Sequence, residues 1–339
     1  MKRKILDDIL IGNSGARYEN VEFCGKVTVG EEARGVSFIG CSFAALLVLG
    51  KDASLVSSTV CFDGVGVEAK ADGLLVRDCR FEGTGTAILA TAEGADIRDC
   101  RFALNEAGTA VAMVGATNAI LALSAVTGAK RALVMENCFN CVAVKNELPA
   151  VYAEGGRHLY ICDNTLSDRL YAKDVNYLLA DGNEYPADGA DHAAVCAGNQ
   201  NTNGDTVTDV DARLEVGANE DLLPHVDRDL FVGMERRKSV KEYGVGDGLS
   251  VYDYLMARAV TDEYVIFAPG VYATDHAAIL TEAHKNTTVY AYGVFVEHIE
   301  YPDKNNTHQH LSIRASGSGT TAGKQHPFLA QPFLQCRTQ

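Results

Sequence analysis

Acidic side chains gather in the stretch 163–191, and they are the residues of this chain that could do acid–base chemistry. Glycoside hydrolysis uses two carboxylates held several ångströms apart, one of them with a raised pKa. Asp163 and Asp181 are the candidate catalytic pair, and Glu184 and His192 lie near them in the sequence. The alternative interpretation is that these are ordinary turn residues in contact with water.

Two tyrosines, Tyr171 and Tyr185, lie beside the acidic residues and are the candidates for contact with sugar rings. An aromatic side chain offers a flat apolar face and, in tyrosine, a polar tip. The chain contains no tryptophan, so no larger aromatic ring is available for this purpose. Either tyrosine can instead be packed in the interior.

Oxygen-bearing side chains follow in the segment Asn201-Thr-Asn203-Gly-Asp205-Thr-Val-Thr-Asp209-Val-Asp211. Oxygen ligands at alternating loop positions suit a hard cation, so the candidate calcium ligands are Asn201, Asn203, Asp205, Asp209 and Asp211. The segment resembles an EF-hand-type or dockerin-type loop in its Asn-Gly-Asp opening, but no Gly follows Asp205 and no Glu closes a twelve-residue loop. The alternative is a polar turn. Calcium is the only cofactor that the sequence suggests.

The charge and hydropathy of the chain exclude some classes of function. The formal net charge is −15, from 45 Asp and Glu against 30 Lys and Arg, whereas nucleic-acid binding normally needs a basic face. No run of about 18 apolar residues occurs, so no membrane span is expected. The start of the chain, Met1-Lys-Arg-Lys-Ile-Leu-Asp-Asp, lacks the apolar core of a secretory signal. The localisation stays open: intracellular, or extracellular as a piece of a longer exported protein.

The elements that position the candidate residues follow from a repeated phrase. Gly73-Leu-Leu-Val-Arg-Asp-Cys79-Arg-Phe81 returns as Gly94-Ala-Asp-Ile-Arg-Asp-Cys100-Arg-Phe102, and an earlier copy runs from Gly35 to Phe43. Each copy has Gly, an apolar residue three positions later, Cys after six positions and Phe after eight. A period of roughly 20 residues indicates a solenoid whose units bury their apolar faces against one another.

The Cys position of the phrase predicts an interior column of small side chains. Later copies place Asn at this position, namely Asn137, Asn164 and Asn183. Stacked amide side chains can hydrogen-bond from one coil to the next. Stacked coils would also bring Asp163 and Asp181 near each other.

The ten cysteines are interpreted as thiols rather than as a disulfide framework. Cys41, Cys79 and Cys100 fall at one repeat position, so they are predicted to be buried, reduced and unpaired. The phenylalanines Phe43, Phe81 and Phe102 are predicted to stack in a separate interior column. Cys138-x-x-Cys141 has no second pair of this kind in the sequence, which favours core thiols over a zinc or redox site.

These repeats resemble those of right-handed parallel β-helix proteins of the pectate-lyase-like superfamily, over roughly Ala16 to Asn199. The competing solenoid, the leucine-rich repeat, needs closely spaced Leu, and Leu does not dominate here. The predicted fold is all-β, a right-handed parallel β-helix of eight or nine coils. The resemblance implies carbohydrate chemistry, but the Asn-Thr-Asp, Gly-His-Gly and Trp-Ile-Asp-His motifs of the family's enzymes are missing. No catalytic residue is therefore carried over from the family.

The repeated phrase does not continue directly after Asn199. Residues 200–245 are predicted to form an acidic connector. Residues 246–313 resemble the N-terminal cap and first coils of a second β-helix-like unit, with a helix over Ser250–Val260 and strands over Tyr264–Phe267 and Thr288–Tyr292. Residues 314–339 are of low complexity and are predicted to be disordered.

Three functions from different classes fit these observations. We expect a non-catalytic β-helix module that binds a polysaccharide or other glycan, or that forms a structural part of a larger extracellular or phage-type protein. The alternative is a polysaccharide lyase or glycoside hydrolase acting on uronate-containing polysaccharide, which the fold resemblance alone supports. The third is a fragment without activity.

Overall fold

The structure is a computed structural model that describes residues 3–173 and 175–185, followed by short strands only, the last of them at 324–325. The chain divides into two compact units, Met1–Ala218 and Asn219–Gln339. The described part of the chain consists of strands and turns and contains no helix. It therefore contains no helix that could cross a membrane.

The described strands of the first unit carry the labels β1 to β27. Their bounds are β1 (Arg3–Ile5), β2 (Ile9–Ile11), β3 (Arg17–Glu19), β4 (Val21–Phe23), β5 (Lys26–Val29), β6 (Ser37–Ile39), β7 (Ser42–Phe43), β8 (Ala45–Val48), β9 (Ser54–Val56), β10 (Thr59–Ala69), β11 (Leu75–Arg77), β12 (Arg80–Ala90), β13 (Asp96–Arg98), β14 (Arg101–Leu104), β15 (Thr109–Val114), β16 (Ile120–Ala122), β17 (Ala125–Thr127), β18 (Arg131–Glu136), β19 (Phe139–Val144), β20 (Glu147–Glu154), β21 (Arg157–Cys162), β22 (Thr165–Lys173), β23 (Asn176–Asp181), β24 (Glu184–Tyr185), β25 (Asp191–His192), β26 (Cys196–Ala197) and β27 (Gln200–Asn201).

These strands form a parallel β-solenoid, as the repeat predicts. Sheet B has ten strands, one from each successive turn, in the order β3, β6, β9, β11, β13, β16, β19, β21, β23 and β26. Sheet A has 17 strands and forms the rest of each turn as two side-by-side parallel ladders. Four longer strands, β10, β12, β20 and β22, run through both ladders, because each pairs with strands of both ladders in a neighbouring turn. The parallel ladder begins with β1, which lies ahead of Ala16.

The interior is lined by columns of apolar side chains, one residue per turn. Phe43, Phe81 and Phe102 are buried, as predicted. The rings of Phe81 and Phe102 stack with their centroids 4.9 Å apart, because their strands pair in register. A buried phenylalanine of this kind typically contributes about 3–5 kcal/mol to stability.

A second interior column contains the predicted small and amide side chains. Its described members are Cys41, Ser58, Cys79, Cys100, Ser124, Asn146, Asn164 and Asn183, all of which are buried. Asn146 Nδ2 donates to Asn164 Oδ1 at 2.9 Å, and Asn164 Nδ2 donates to Asn183 Oδ1 at 3.0 Å. Cys41, Cys79 and Cys100 are buried and form no disulfide, which confirms the prediction for them.

The prediction that Asn137 belongs to this column is wrong. Asn137 is exposed and has a left-handed backbone with φ of 51° at the corner between β18 and β19. Asn146 occupies the column in that turn. Its Oδ1 accepts a hydrogen bond from the backbone N–H of Ser124, the column residue of the previous turn, at 3.0 Å. The turns here are longer than average: the hydrogen-bonded column neighbours Cys100 and Ser124 are 24 residues apart.

Two corners of the turn require a left-handed backbone. We call the second interior column the amide column. In each turn the residue that precedes the member of the amide column has positive φ, at Asn20, Gly40, Ser57, Asp78, Asp99, Leu123, Lys145, Asp163 and Gly182. A second set of positive-φ residues lies at or just before the start of the sheet B strand of each turn, at Gly15, Gly35, Asp52, Gly73, Gly94, Asn118, Asn140 and His158. Gly, Asn and Asp adopt this conformation at the lowest cost, which explains the Gly and the Asp of the repeated phrase.

The second unit contains short strands in its described residues: β28 (Tyr264–Ile266), β29 (Gly270–Tyr272), β30 (Thr288–Tyr292), β31 (Val294–Val296), β32 (Ser312–Ser316), β33 (Thr320–Thr321) and β34 (Lys324–Gln325). The strands β28, β30 and β32 pair in parallel, as do β29 and β31. The predicted helix Ser250–Val260 lies outside the described residues, as does most of the predicted connector 200–245 and of the predicted tail 314–339.

Candidate functional site

The candidate catalytic pair lies in neighbouring turns. Asp163 is half-buried in the left-handed corner before the amide column, with φ of 52°. Asp181 is in β23, where its backbone pairs with that of Cys162. The continuing register places Gly182, not Asp181, beside Asp163. Asp163 therefore meets a backbone requirement that Asp78 and Asp99 meet in earlier turns, and its catalytic role stays a prediction.

The candidate calcium ligands lie almost entirely outside the described residues. Asn201 is in β27, whereas Asn203, Asp205, Asp209 and Asp211 fall in the stretch after it that the structure does not describe. The described residues contain no group of three or more His, Cys, Asp or Glu side chains that could hold a metal ion.

The candidate sugar-binding tyrosines occupy different columns of sheet A. Tyr171 lies in β22 at an outward position and is 38% exposed. Tyr185 lies in β24, where its backbone pairs with that of Asn201 in β27. Its role in sugar binding stays a prediction.

Tyr171 has instead a partner that the sequence interpretation missed. Tyr152 occupies the same outward position in β20, one turn earlier, and its backbone pairs with that of Tyr171. The two ring centroids are 5.7 Å apart, with the planes tilted by 40°. The guanidinium of Arg131 lies over the Tyr152 ring, 4.9 Å from its centroid, which adds a cation–π contact.

Strand alternation explains why these rings point outward. The neighbours of Tyr152, Val151 and Ala153, are buried, as are the neighbours of Tyr171. The outward column runs through Thr28, Leu47, Glu68, Leu89, Ala112, Val134, Tyr152 and Tyr171. The phrases Val151-Tyr-Ala-Glu154 and Leu170-Tyr-Ala-Lys173 repeat at this point, and this repetition could have revealed Tyr152 from the sequence.

Charged side chains of both signs flank the two rings. Lys173 Nζ lies 3.3 Å from Glu154 Oε1, and both side chains are more than half exposed. We call the surface formed by Arg131, Tyr152, Glu154, Tyr171 and Lys173 the tyrosine face. An exposed ion pair of this kind adds little stability. Its donors and acceptors remain accessible for hydrogen bonds to a ligand.

The buried titratable groups of the solenoid act as packing groups. Burial and the nearby charge of Arg157 lower the pKa of His158 to about 4, so the imidazole is neutral at pH 7. Its ring packs against Phe139 with centroids 5.6 Å apart. Contact with Cys79 and burial raise the pKa of the Cys100 thiol, and burial raises the pKa of Cys141. Hydrogen bonds with these two thiols lower the pKa of their partners, Cys79 and Cys138. Protonated buried thiols are poor nucleophiles and poor metal ligands.

No protein-family model matches the chain, and no curated protein matches it significantly. Two outward aromatic rings, the half-buried Tyr152 and the exposed Tyr171, lie one turn apart and are flanked by charged groups. Such a surface can bind a ligand with flat apolar faces and polar edges.

Proposed function

We propose that this chain is a non-catalytic β-solenoid module that binds carbohydrate on its tyrosine face. The observation that carries the proposal is the pair of neighbouring outward rings, Tyr152 and Tyr171, with centroids 5.7 Å apart and planes tilted by 40°. The C–H faces of a sugar ring are apolar and its edges carry hydroxyl groups. Tyrosine combines a flat apolar face with a hydrogen-bonding tip, which matches this chemistry.

The surroundings of the two rings support the same ligand class. Adjacent strands are about 4.8 Å apart, so the rings offer stacking positions to neighbouring units of one chain. Arg131 and Lys173 supply donors, and Glu154 supplies acceptors, on either side of the rings. Such a module would serve as part of a larger extracellular or phage-type protein.

The proposal predicts that both tyrosines contribute to glycan affinity. The full chain is titrated by calorimetry with soluble polysaccharides, namely polygalacturonate and a panel of neutral glycans. Tyr152→Ala and Tyr171→Ala should each weaken binding about tenfold, since an aromatic contact contributes about 0.5–1.5 kcal/mol beyond its buried area. Tyr171→Phe should retain most of the affinity, because it keeps the ring.

Leu47→Ala is the matched control for these variants. Leu47 lies in the same outward column but far from both rings, so its truncation should leave the affinity unchanged. Full affinity in both Tyr→Ala variants, or no binding to any glycan of the panel, would refute the proposal. Release of unsaturated products or reducing ends that is lost in Asp181→Asn would favour the enzyme alternative.

A further inference from the structure

The two ladders of sheet A differ in the polarity of their outward side chains. The first ladder, which begins with β1 and β4, carries the outward column Glu22, Ser42, Thr59, Arg80, Arg101, Ala125, Glu147, Thr165 and Glu184. Five of these nine residues are charged, and one is apolar. This is the polar surface that strand alternation predicts for the solvent side of a sheet.

The second ladder, which begins with β2 and β5, carries the outward column that leads to the tyrosine face. The members of this column before Tyr152 are Leu10, Thr28, Leu47, Glu68, Leu89, Ala112 and Val134. Glu68 is the one charged residue among them, and its carboxylate lies 2.7 Å from Nζ of Lys70. We call the residues Leu10, Leu47, Leu89, Ala112 and Val134 the apolar stripe.

The apolar stripe is accessible to solvent. Leu10 is 73% exposed, and the other four members are half-buried, each between two buried neighbours in its strand. Further apolar side chains that are half-buried or exposed lie beside the stripe, namely Leu49, Val65 and Val114. Apolar residues that share one column, rather than being scattered over the surface, indicate an interaction site.

The side chains of the stripe indicate what kind of surface they fit. They are Leu, Val and Ala, and the column contains no aromatic residue and no arginine before Tyr152. The binding energy of protein interfaces is concentrated in Trp, Tyr and Arg side chains that fill pockets, whereas Leu and Val are under-represented among these residues. A row of short aliphatic side chains fits instead a ligand surface that is itself flat and apolar over a wide area.

We propose that the apolar stripe extends the tyrosine face into a binding surface for packed, insoluble glycan, in which neighbouring chains present the C–H faces of many sugar rings. The two tyrosines continue the column of the stripe, so this extension rests on the proposed function. The column from Leu10 to Tyr171 covers eight strand spacings, about 38 Å. A dissolved chain loses conformational entropy when it is straightened over this length, whereas a packed chain is already ordered. Packed glycan therefore covers the stripe as well as the rings, and burial of the stripe adds to the affinity.

The test compares packed and dissolved forms of the same glycans. Binding of the full chain to crystalline powders of cellulose, chitin and mannan is measured by depletion from solution, and binding to soluble oligomers of the same three glycans by calorimetry. The unmodified chain should bind the packed form of its preferred glycan at least tenfold more tightly than the oligomer.

The double variant Leu47→Lys/Leu89→Lys tests the stripe itself. It should weaken binding to the packed form at least tenfold, because two charges must be desolvated there, and should leave binding to the oligomer unchanged. The new lysines lie on either side of Glu68, so the substitutions add no like-charge neighbours to the column. The matched control, Ser42→Lys/Thr165→Lys, adds the same charge to the polar column and should leave both affinities unchanged.

The outcomes separate this inference from the proposed function. Equal affinity of the unmodified chain for the two forms, or full binding of Leu47→Lys/Leu89→Lys to the packed form, would overturn the inference and leave the proposed function intact. Absence of binding to either form would refute the proposed function and the inference with it. Analytical ultracentrifugation tests the other occupant of the stripe: a dimer of the unmodified chain that dissociates in the double variant would assign the stripe to a second copy and overturn the inference.

Discussion

At the scale of single residues, backbone conformation explains side chains that otherwise suggest chemistry. Asp163 was a candidate acid because of its carboxylate, yet it fills a left-handed corner that other turns fill with Asn20 or Gly40. His158 fills the equivalent corner before sheet B and is buried there. Both residues occur where the solenoid needs positive φ, so residue type alone does not indicate function at these corners.

His158 should make the stability of the solenoid depend on pH. Its pKa is lowered from 6.5 to about 4 in the folded protein by burial and by Arg157. Between these values the unfolded chain binds a proton that the folded protein does not bind. Stability should therefore fall as the pH drops from about 6.5 to 4, by a total of about 3 kcal/mol.

Urea unfolding of the full chain at pH 7, 5.5 and 4 measures this effect. His158→Asn is the control, because Asn tolerates positive φ and does not titrate in this range. The variant should lose the His158 share of the pH dependence. An equal slope in the variant and the unmodified chain would assign the dependence to other groups.

At the scale of strands and columns, the sequence predicts the common pattern better than its exceptions. Cys41 and Phe81 were assigned correctly because the spacing within the phrase, with Cys after six positions and Phe after eight, is the same in the copies that contain them. Asn146 was missed because the column neighbours there lie 24 and 22 residues apart, whereas Cys41 and Ser58 are 17 apart. Such changes in turn length alter the phase of the repeat without any change in residue type.

The amide column gives a prediction at the same scale. Asn164 Nδ2 donates to Ala143 O at 3.1 Å and to Asn183 Oδ1 at 3.0 Å, and its Oδ1 accepts from Asn146. Asn164→Ala should cost about 2–4 kcal/mol, because it leaves buried polar groups of two neighbouring turns without their partners.

Asn137→Gly is the control for this substitution, measured by the same denaturant unfolding. Asn137 is exposed and left-handed, a conformation that Gly adopts freely, so its replacement should change stability by less than about 0.5 kcal/mol. Equal losses in the two variants would mean that the amide column does not stabilise the solenoid as its geometry implies.

At the scale of the whole molecule, the repeats predict the solenoid but not the surfaces that distinguish its turns. The parallel fold follows from one phrase that recurs about every 20 residues. The tyrosine face depends on Tyr152, which that phrase does not include. The burial of β19 and β21 on both faces had a local signal, since Cys141-Val-Ala-Val144 and Leu159-Tyr-Ile-Cys162 are continuous apolar runs, typical of such strands.

The two compact units should differ in local stability. The described strands of the second unit form sheets of only two or three strands, whereas the solenoid has sheets of 17 and ten strands. Amide hydrogen exchange in the full chain should be faster across Val289–Val296 than across Val76–Phe102, because fewer paired strands oppose local opening. Equal protection across the two ranges would show that the second unit is as stable as the first.

The constant register of the middle turns means that the length of this protein can change in whole steps. Thr59 pairs with Arg80 and Arg80 pairs with Arg101, residues that are 21 positions apart in each case. Deleting residues 80–100 would join Cys79 to Arg101 in the same phase and shorten the solenoid by one strand spacing, about 4.8 Å. Residues 73–81 and 94–102 are identical at six of nine positions, which is what a copied turn would leave in a gene. Duplication and loss of turns could thus set how far the tyrosine face stands from the first turn, without altering either.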